Sequence, residues 1–151
     1  MTYPKAAVEA AFALLPAKMD SHYARIQQAA IGHQETKYLV RKQYGGGPAR
    51  SYWQFELGGI KGVMLHRASA RLAISVCEAR GVEFNSAAIH KAMETDDVLG
   101  AAFARLLMYT DGYPLPDTEQ EGWEMYLRTW RPGKPHPKEW PASWAFGLAN
   151  A

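Results

Sequence analysis

The sequence predicts a mainly α fold, a helical domain with a short irregular or β segment after its second helix. Three observations carry this expectation. Apolar residues recur at helical spacing along most of the chain, and capping residues open the periodic stretches while Gly or Pro closes them. Irregular backbone is concentrated instead at residues 44–62, rich in glycine and aromatics, and at 109–117. With 151 residues and 48% hydrophobic content, the chain is sized for one domain, 1–151, around one core.

Taken in order, Pro4 to Lys18 is an Ala-rich helix with Pro4 suited to its start. Asp20 or Ser21 caps a second helix through about Tyr38, carrying Tyr23, Ile26, Ala30 and Ile31. Gly45-Gly46-Gly47-Pro48 breaks any regular element, and Ser51 to Leu57 reads equally as strand, turn or helix start. Gly58, Gly59 and Gly62 are expected to keep the backbone loose, and a helix follows from Met64 to about Arg80, stopped by Gly81. Asn85 or Ser86 starts a short helix with Ile89 and Met93 on one face. Asp96 or Asp97 caps the most apolar one, Val98 to Met108. A turn over Asp111 to Pro116 leads to Thr118 and Glu121, a capping-box pair for a helix holding Trp123, Tyr126, Leu127 and Trp130. Beyond the proline-rich loop Arg131 to Pro137, the last helix places Trp140, Trp144 and Leu148 on one stripe and tolerates Pro141 only in its first turn.

Composition excludes several function classes. The 17 basic residues against 15 acidic ones are scattered, unlike the concentrated basic patch of a nucleic-acid binder, so no nucleic acid is expected as partner. No apolar run approaches the roughly 20 residues of a membrane span, so no membrane insertion is expected. Cys77 is alone, which rules out an intrachain disulfide and suits a buried small hydrophobe. The five histidines are dispersed, with no HExxH and no Cys/His ligand spacing, and His33 and Glu35 would point to different helix faces. No cofactor or metal is expected. Gly45 to Gly47 lacks the Lys-Ser/Thr of a phosphate loop, and no serine has a Gly-x-Ser-x-Gly setting. Met1 to Lys5 lacks the pattern of a secretory signal, so the expectation is synthesis in the cytoplasm.

Glu35 is the residue best placed for chemistry. It sits near the C-terminal end of the second helix, where the carbonyl end of the dipole disfavours its ionised form; partial burial among aromatics would act the same way, and a solvated surface Glu is the alternative. A carboxyl kept protonated near neutral pH is what protonation of a glycosidic leaving oxygen requires. Around it, Gln34-Glu35-Thr36, the segment Pro48-Ala49-Arg50-Ser51-Tyr52-Trp53-Gln54, Asp97-Val98-Leu99-Gly100 and the stretch from Met125 through Tyr126 to Gly133 follow one another along the chain. These blocks resemble, in order, the four motifs of the soluble lytic transglycosylases: Glu-Ser, Gly-Ala-x-Gly-Leu-Met-Gln, Asn-Ile-x-x-Gly and Tyr-Asn-Ala-Gly-x-Gly. The resemblance spans roughly residues 22–148. Thr36 keeps the hydroxyl of the first motif. Ser51 replaces a glycine, Tyr52-Trp53 replace Leu-Met, and the fourth motif lacks its Asn-Ala-Gly core.

The resemblance implies an α+β lysozyme-like fold and cleavage of the β-1,4 bond between N-acetylmuramic acid and N-acetylglucosamine in peptidoglycan glycan strands. It implies Glu35 as general acid and then base, Gln54 as a substrate ligand in the sugar cleft, and Tyr126 as the group orienting Glu35 or the sugar. Tyr52, Trp53 and Trp130 are aromatic faces suited to sugar stacking or to core packing. Glu56 is the nearest second carboxylate, with Asp96 and Asp97 behind it, and serves equally as a hydrogen-bonding or surface residue. Residues 58–95 exceed what compact members need and are expected to form an added helical subdomain beside the cleft. A chain without a signal that acts on the wall implies delivery, as in a phage member with virion or lysis-system partners. A hydrolytic muramidase and a non-catalytic wall-binding or phage structural protein are the alternatives on the same fold. An unrelated helical interaction module would instead have no cleft and a fully exposed Glu35. Arg128, Arg131, Lys134 and Lys138 form a basic cluster that suits wall phosphates or carboxylates, or a solvated face.

Overall fold

A computed structural model describes residues 3–151; Met1 and Thr2, part of the stretch read for a signal, lie outside them. The chain is mainly α. In order the helices are α1 (Lys5–Ala13), α2 (His22–Thr36), α3 (Leu57–Leu65), α4 (Ala70–Arg80), α5 (Ser86–Ala92), α6 (Asp97–Tyr109), α7 (Glu119–Trp130) and α8 (Trp140–Asn150). Extended pairing among the described residues is limited to the isolated bridges Lys42–Arg50 and Arg50–Phe55. No helix among them is long and apolar enough to cross a membrane.

Side-chain caps open α2, α5, α6 and α7. Ser21 Oγ accepts from the Ala24 amide at 3.1 Å, Asn85 Oδ1 from Ala88 at 2.8 Å and Asp96 Oδ1 from Leu99 at 3.0 Å. Thr118 Oγ1 accepts from the Glu121 amide at 3.2 Å, while the Glu121 carboxylate returns to the Asp117 amide rather than to that of Thr118. Gly81 ends α4 in the left-handed region at φ 67°. Three expectations need correction. The first helix stops at Ala13, before Pro16, whose ring cannot continue it, and Ala17–Met19 forms a separate 3₁₀ turn. Gly58, Gly59 and Gly62 belong to α3, because Ile60 and Val63 on its other face are wholly buried and outweigh weak helix propensity. The expected helix Met64 to Arg80 is broken where His66 turns extended (ψ 132°), and Ser69 Oγ donates to the Val63 carbonyl at 2.7 Å to hold the bend.

Helix α2 is the centre of the molecule, with Ala24, Ile26, Ala29, Ala30 and Ile31 buried. Two buried amides tie it to its neighbours: Gln27 Nε2 donates to Gly122 O at 2.9 Å and Gln28 Nε2 to Ala101 O at 2.6 Å. Helix α8 lies against it so closely that a Cβ at Gly147 would meet the Ile26 carbonyl oxygen. Trp140 and Trp144 are buried, whereas Leu148 is exposed and takes no part in their stripe. Residues from α3, α4 and α5, among them Ile60, Val63, Val76, Cys77, Ile89 and Met93, join one buried cluster with α1, α2 and α6. The 58–95 segment therefore forms α3, α4 and α5 and contributes to the common core. Cys77 is buried there, which pushes its thiol up to about 11.

Between α2 and α3 the chain folds into a tight, irregular unit. The Arg50 and Phe55 main chains exchange hydrogen bonds at 2.8 and 2.6 Å, and the Ser51 amide donates to Arg41 O at 2.8 Å. Ser51 (φ 71°) and Gln54 (φ 55°) are left-handed without being glycine. The turn rests on α6 at Gly100, where a Cβ would come within 3.0 Å of Ser51 Cβ. Arg41 clamps the unit to the start of α6 through both Asp97 oxygens at 2.8 and 2.9 Å.

Candidate active site

Glu35 is the penultimate residue of α2, which ends as Lys37 adopts φ 52°. Thr36 fixes this end: its Oγ1 donates to Tyr52 O at 2.9 Å and accepts from the Tyr38 amide at 3.2 Å, stitching the helix to the following turn. The Glu35 carboxyl opens into a cleft of about 410 Å³ whose walls include Gln54, Glu56, Tyr126, Trp130 and Arg131. From α7, ninety-one residues along the chain, the Tyr126 hydroxyl donates to Glu35 Oε2 at 2.5 Å. The Tyr126 ring stacks on Trp140, centroids 5.5 Å apart and planes 10° from parallel, so the hydroxyl is held by packing as well as by the bond.

Burial pushes the Glu35 carboxyl up to about 7; the Tyr126 hydrogen bond pulls it down, and the Glu56 charge adds to the rise. Burial and the adjacent carboxylate drive the Tyr126 phenol far above its ordinary range, so it stays a proton-bearing donor. A carboxyl whose folded pKa lies above its ordinary value favours folding most at low pH, and that contribution is lost as pH rises from about 4.5 through about 7. Glu35→Gln removes the cost of the buried charge. The variant is expected to melt above wild type at pH 8, with the gap closing towards pH 5, in thermal denaturation followed at both pH values. The difference is at most about 3.5 kcal/mol, since each pKa unit is worth about 1.4 kcal/mol.

The structure sorts the other sequence candidates. Gln54 lines the cleft, its Nε2 donating to Ser51 O at 2.9 Å and its Oε1 left for a ligand. Glu56 is exposed on the same wall, at the start of α3. Trp130 borders the cleft and anchors its indole by donating Nε1–H to Trp53 O at 2.8 Å. It also borders two adjoining hollows of about 300 and 590 Å³ that continue past α3 towards Asp111.

Tyr52 and Trp53 do not reach the cleft, which corrects the expectation that they stack on sugars. Trp53 is 0% exposed and donates Nε1–H to Gln28 O at 2.9 Å, while Tyr52 packs between Tyr38 and the Arg41 guanidinium. The left-handed residues on either side turn this pair inward and leave Gln54 at the surface. Asp96 is engaged in capping α6 and pairing with Arg80, and Asp97 in pairing with Arg41, so neither supplies the cleft with a carboxylate.

Tyr44 was not singled out by sequence reading. It is 71% exposed at the cleft rim, on the 3₁₀ turn Tyr44–Gly46, and an aromatic beside a glycine run was the available signal. His136 also lines the cleft, but no group of three or more His, Cys, Asp or Glu able to hold a metal occurs among the described residues. Comparison with protein-family models, curated proteins and solved structures finds no match. The chemistry available is thus that of the site itself: one shielded carboxyl able to hold or release a proton near neutral pH, a fixed phenol beside it, and polar and aromatic groups along a groove. A cleft and a half-buried Glu35 are the opposite of what an interaction module with an incidental Glu35 requires.

Proposed function

We propose that the protein cleaves the β-1,4 bond between N-acetylmuramic acid and N-acetylglucosamine in peptidoglycan, as a lytic transglycosylase of lysozyme-like fold. One observation carries the reading: the half-buried Glu35 carboxyl, raised to about 7 and held by Tyr126, faces a cleft of about 410 Å³ lined by polar and aromatic side chains. In this mechanism Glu35 donates its proton to the glycosidic oxygen as the C1–O bond breaks, and the substrate acetamido group stabilises C1. The Glu35 carboxylate then takes the proton from the sugar's 6-hydroxyl, whose oxygen bonds to C1 and closes an anhydro ring. Gln54 holds an acetamido or hydroxyl group, and Trp130 offers a sugar-stacking face.

Glu56, on the same wall, favours a second reading, hydrolysis with Glu56 acting as nucleophile or activating a water. The two differ in product. Purified wall is incubated with the protein and the sugar termini of the soluble fragments are identified. Anhydro ends are expected, and exclusively reducing ends would overturn the transglycosylase reading in favour of the hydrolase. Sedimentation with the wall without any release of fragments would point to a binding protein instead.

The acid role also fixes the pH dependence. Glu35 must be protonated to begin, so the rate of fragment release is expected to fall on the alkaline side with a midpoint near 7. The Tyr126 bond lowers the carboxyl pKa, so Tyr126→Phe is expected to move that limb to higher pH while slowing the maximal rate. A limb that stays in place or moves to lower pH would show that Tyr126 does not stabilise the carboxylate.

A further inference from the structure

The wall of the cleft formed by the loop after α7 is cationic and unneutralised. Of the four basic residues near the C-terminus, Arg128 is bound by both oxygens of Asp111 at 3.0 and 2.9 Å, and Lys138 does not line the cleft. Arg131 and Lys134 do line it, both exposed, and neither forms an ion pair within 4 Å among the described residues. Among the described residues the only polar contact of the Arg131 side chain is a long one, Nε–H to Arg128 O at 3.4 Å, which leaves the rest of its guanidinium fork unused.

The backbone holds these charges in place. Arg131 ends α7 in the left-handed region, at φ 49°, immediately before Pro132. Pro132, Pro135 and Pro137 stiffen the loop, and Gln34 Nε2, next to Glu35 in sequence, donates to His136 O at 3.0 Å and ties the loop to the catalytic helix. Two unpaired cations on a stiff loop across from a carboxyl that works protonated form a receptor for an anion on the substrate, with little entropy lost on binding.

We propose that Arg131 and Lys134 bind a carboxylate carried by the glycan strand beside the scissile bond. They thereby select acid-bearing wall glycan over neutral β-1,4-linked N-acetylglucosamine chains. The inference rests on the wall-cleaving reading above. Its carboxylate has two sources, the lactyl group of a strand without peptides and the side chains and terminus of the stem peptide.

The test uses the Glu35→Gln protein, which binds without turnover, and measures Kd by calorimetry for three ligands. These are chitohexaose, amidase-stripped glycan strands and peptide-bearing strands. Adding Arg131→Ala and Lys134→Ala together is expected to weaken binding of carboxylate-bearing strands by about tenfold or more. Chitohexaose binding should change less than about twofold, and Lys138→Ala should change nothing on any ligand. A loss seen on stripped strands assigns the lactyl carboxylate, and a loss confined to peptide-bearing strands assigns the stem. Equal losses on all three ligands, or none on any, would overturn the proposal while leaving the wall-cleaving reading intact. If the Glu35→Gln protein binds none of the three, both fall together. Both positions are exposed, so an unchanged melting temperature in the double variant is the expected control.

Discussion

Glu35→Gln is expected to slow the clearing of wall suspensions by about 10²- to 10⁴-fold, the range for loss of a general acid. The substitution keeps the shape of the side chain and an oxygen to accept from Tyr126, so the cleft survives and only the transferable proton is lost. Circular dichroism of the two proteins should superimpose, and turbidity loss at matched concentration reads the effect. Clearing by the variant at close to the wild-type rate would remove Glu35 from the chemistry and leave the cleft without its acid. Failure of folded wild type to clear any of several wall types would end the lytic reading and favour a wall-binding or structural role.

Trp53→Ala is expected to cost about 3–5 kcal/mol of stability, among the largest effects of any single substitution here. The ring lies between α2 and α6 under the 50–55 turn, wholly buried, with an edge-on Tyr38 5.8 Å away. Its removal opens a cavity that the clamped turn cannot collapse into, and it takes from the Gln28 carbonyl the indole N–H that this helical oxygen accepts in addition to its place in α2. Denaturant titration measures this directly. A variant of near wild-type stability that had lost only ligand affinity would return Trp53 to the list of sugar-facing residues. The contrast with Trp130 is informative, because that ring keeps a face on the cleft and is anchored through the Trp53 carbonyl.

What could be read from the chain was largely local. Ser21, Asn85, Asp96 and Thr118 announce their helices because a cap is a contact between residues three apart, and Gly81 announces an end because its φ suits no other residue as well. Helix α3 was hidden because its glycines argue against it and its support comes from Ile60 and Val63 meeting distant partners. The inward turn of Tyr52 and Trp53 was hidden for a related reason. It depends on left-handed Ser51 and Gln54, which no propensity favours, held in place by packing on Gly100. At the site, the helix-end position of Glu35 followed from the pattern of the second helix, whereas its meeting with Tyr126 joins residues that only the tertiary fold brings together. Arg131 and Lys134 were visible as a basic cluster, but their separation from Arg128 required knowing that Asp111 neutralises the latter.

The non-glycine residues with positive φ among those described are Lys37, Tyr38, Ser51, Gln54 and Arg131; Gln54 and Arg131 line the cleft, and the other three frame it from behind, just past the end of α2 and in the turn that carries Gln54. Each costs on the order of 1 kcal/mol relative to a relaxed backbone, so the frame draws several kcal/mol from the packing of the helices around it. The cleft and the helical scaffold accordingly have different margins. Heat, denaturant or a remote core substitution that slackens the packing releases the frame first, at a point where the helices still report a folded protein. The shape of the cleft is thus the more sensitive gauge of this molecule's integrity, and a stabilised variant made by relaxing these residues would gain its margin by blunting its own cleft.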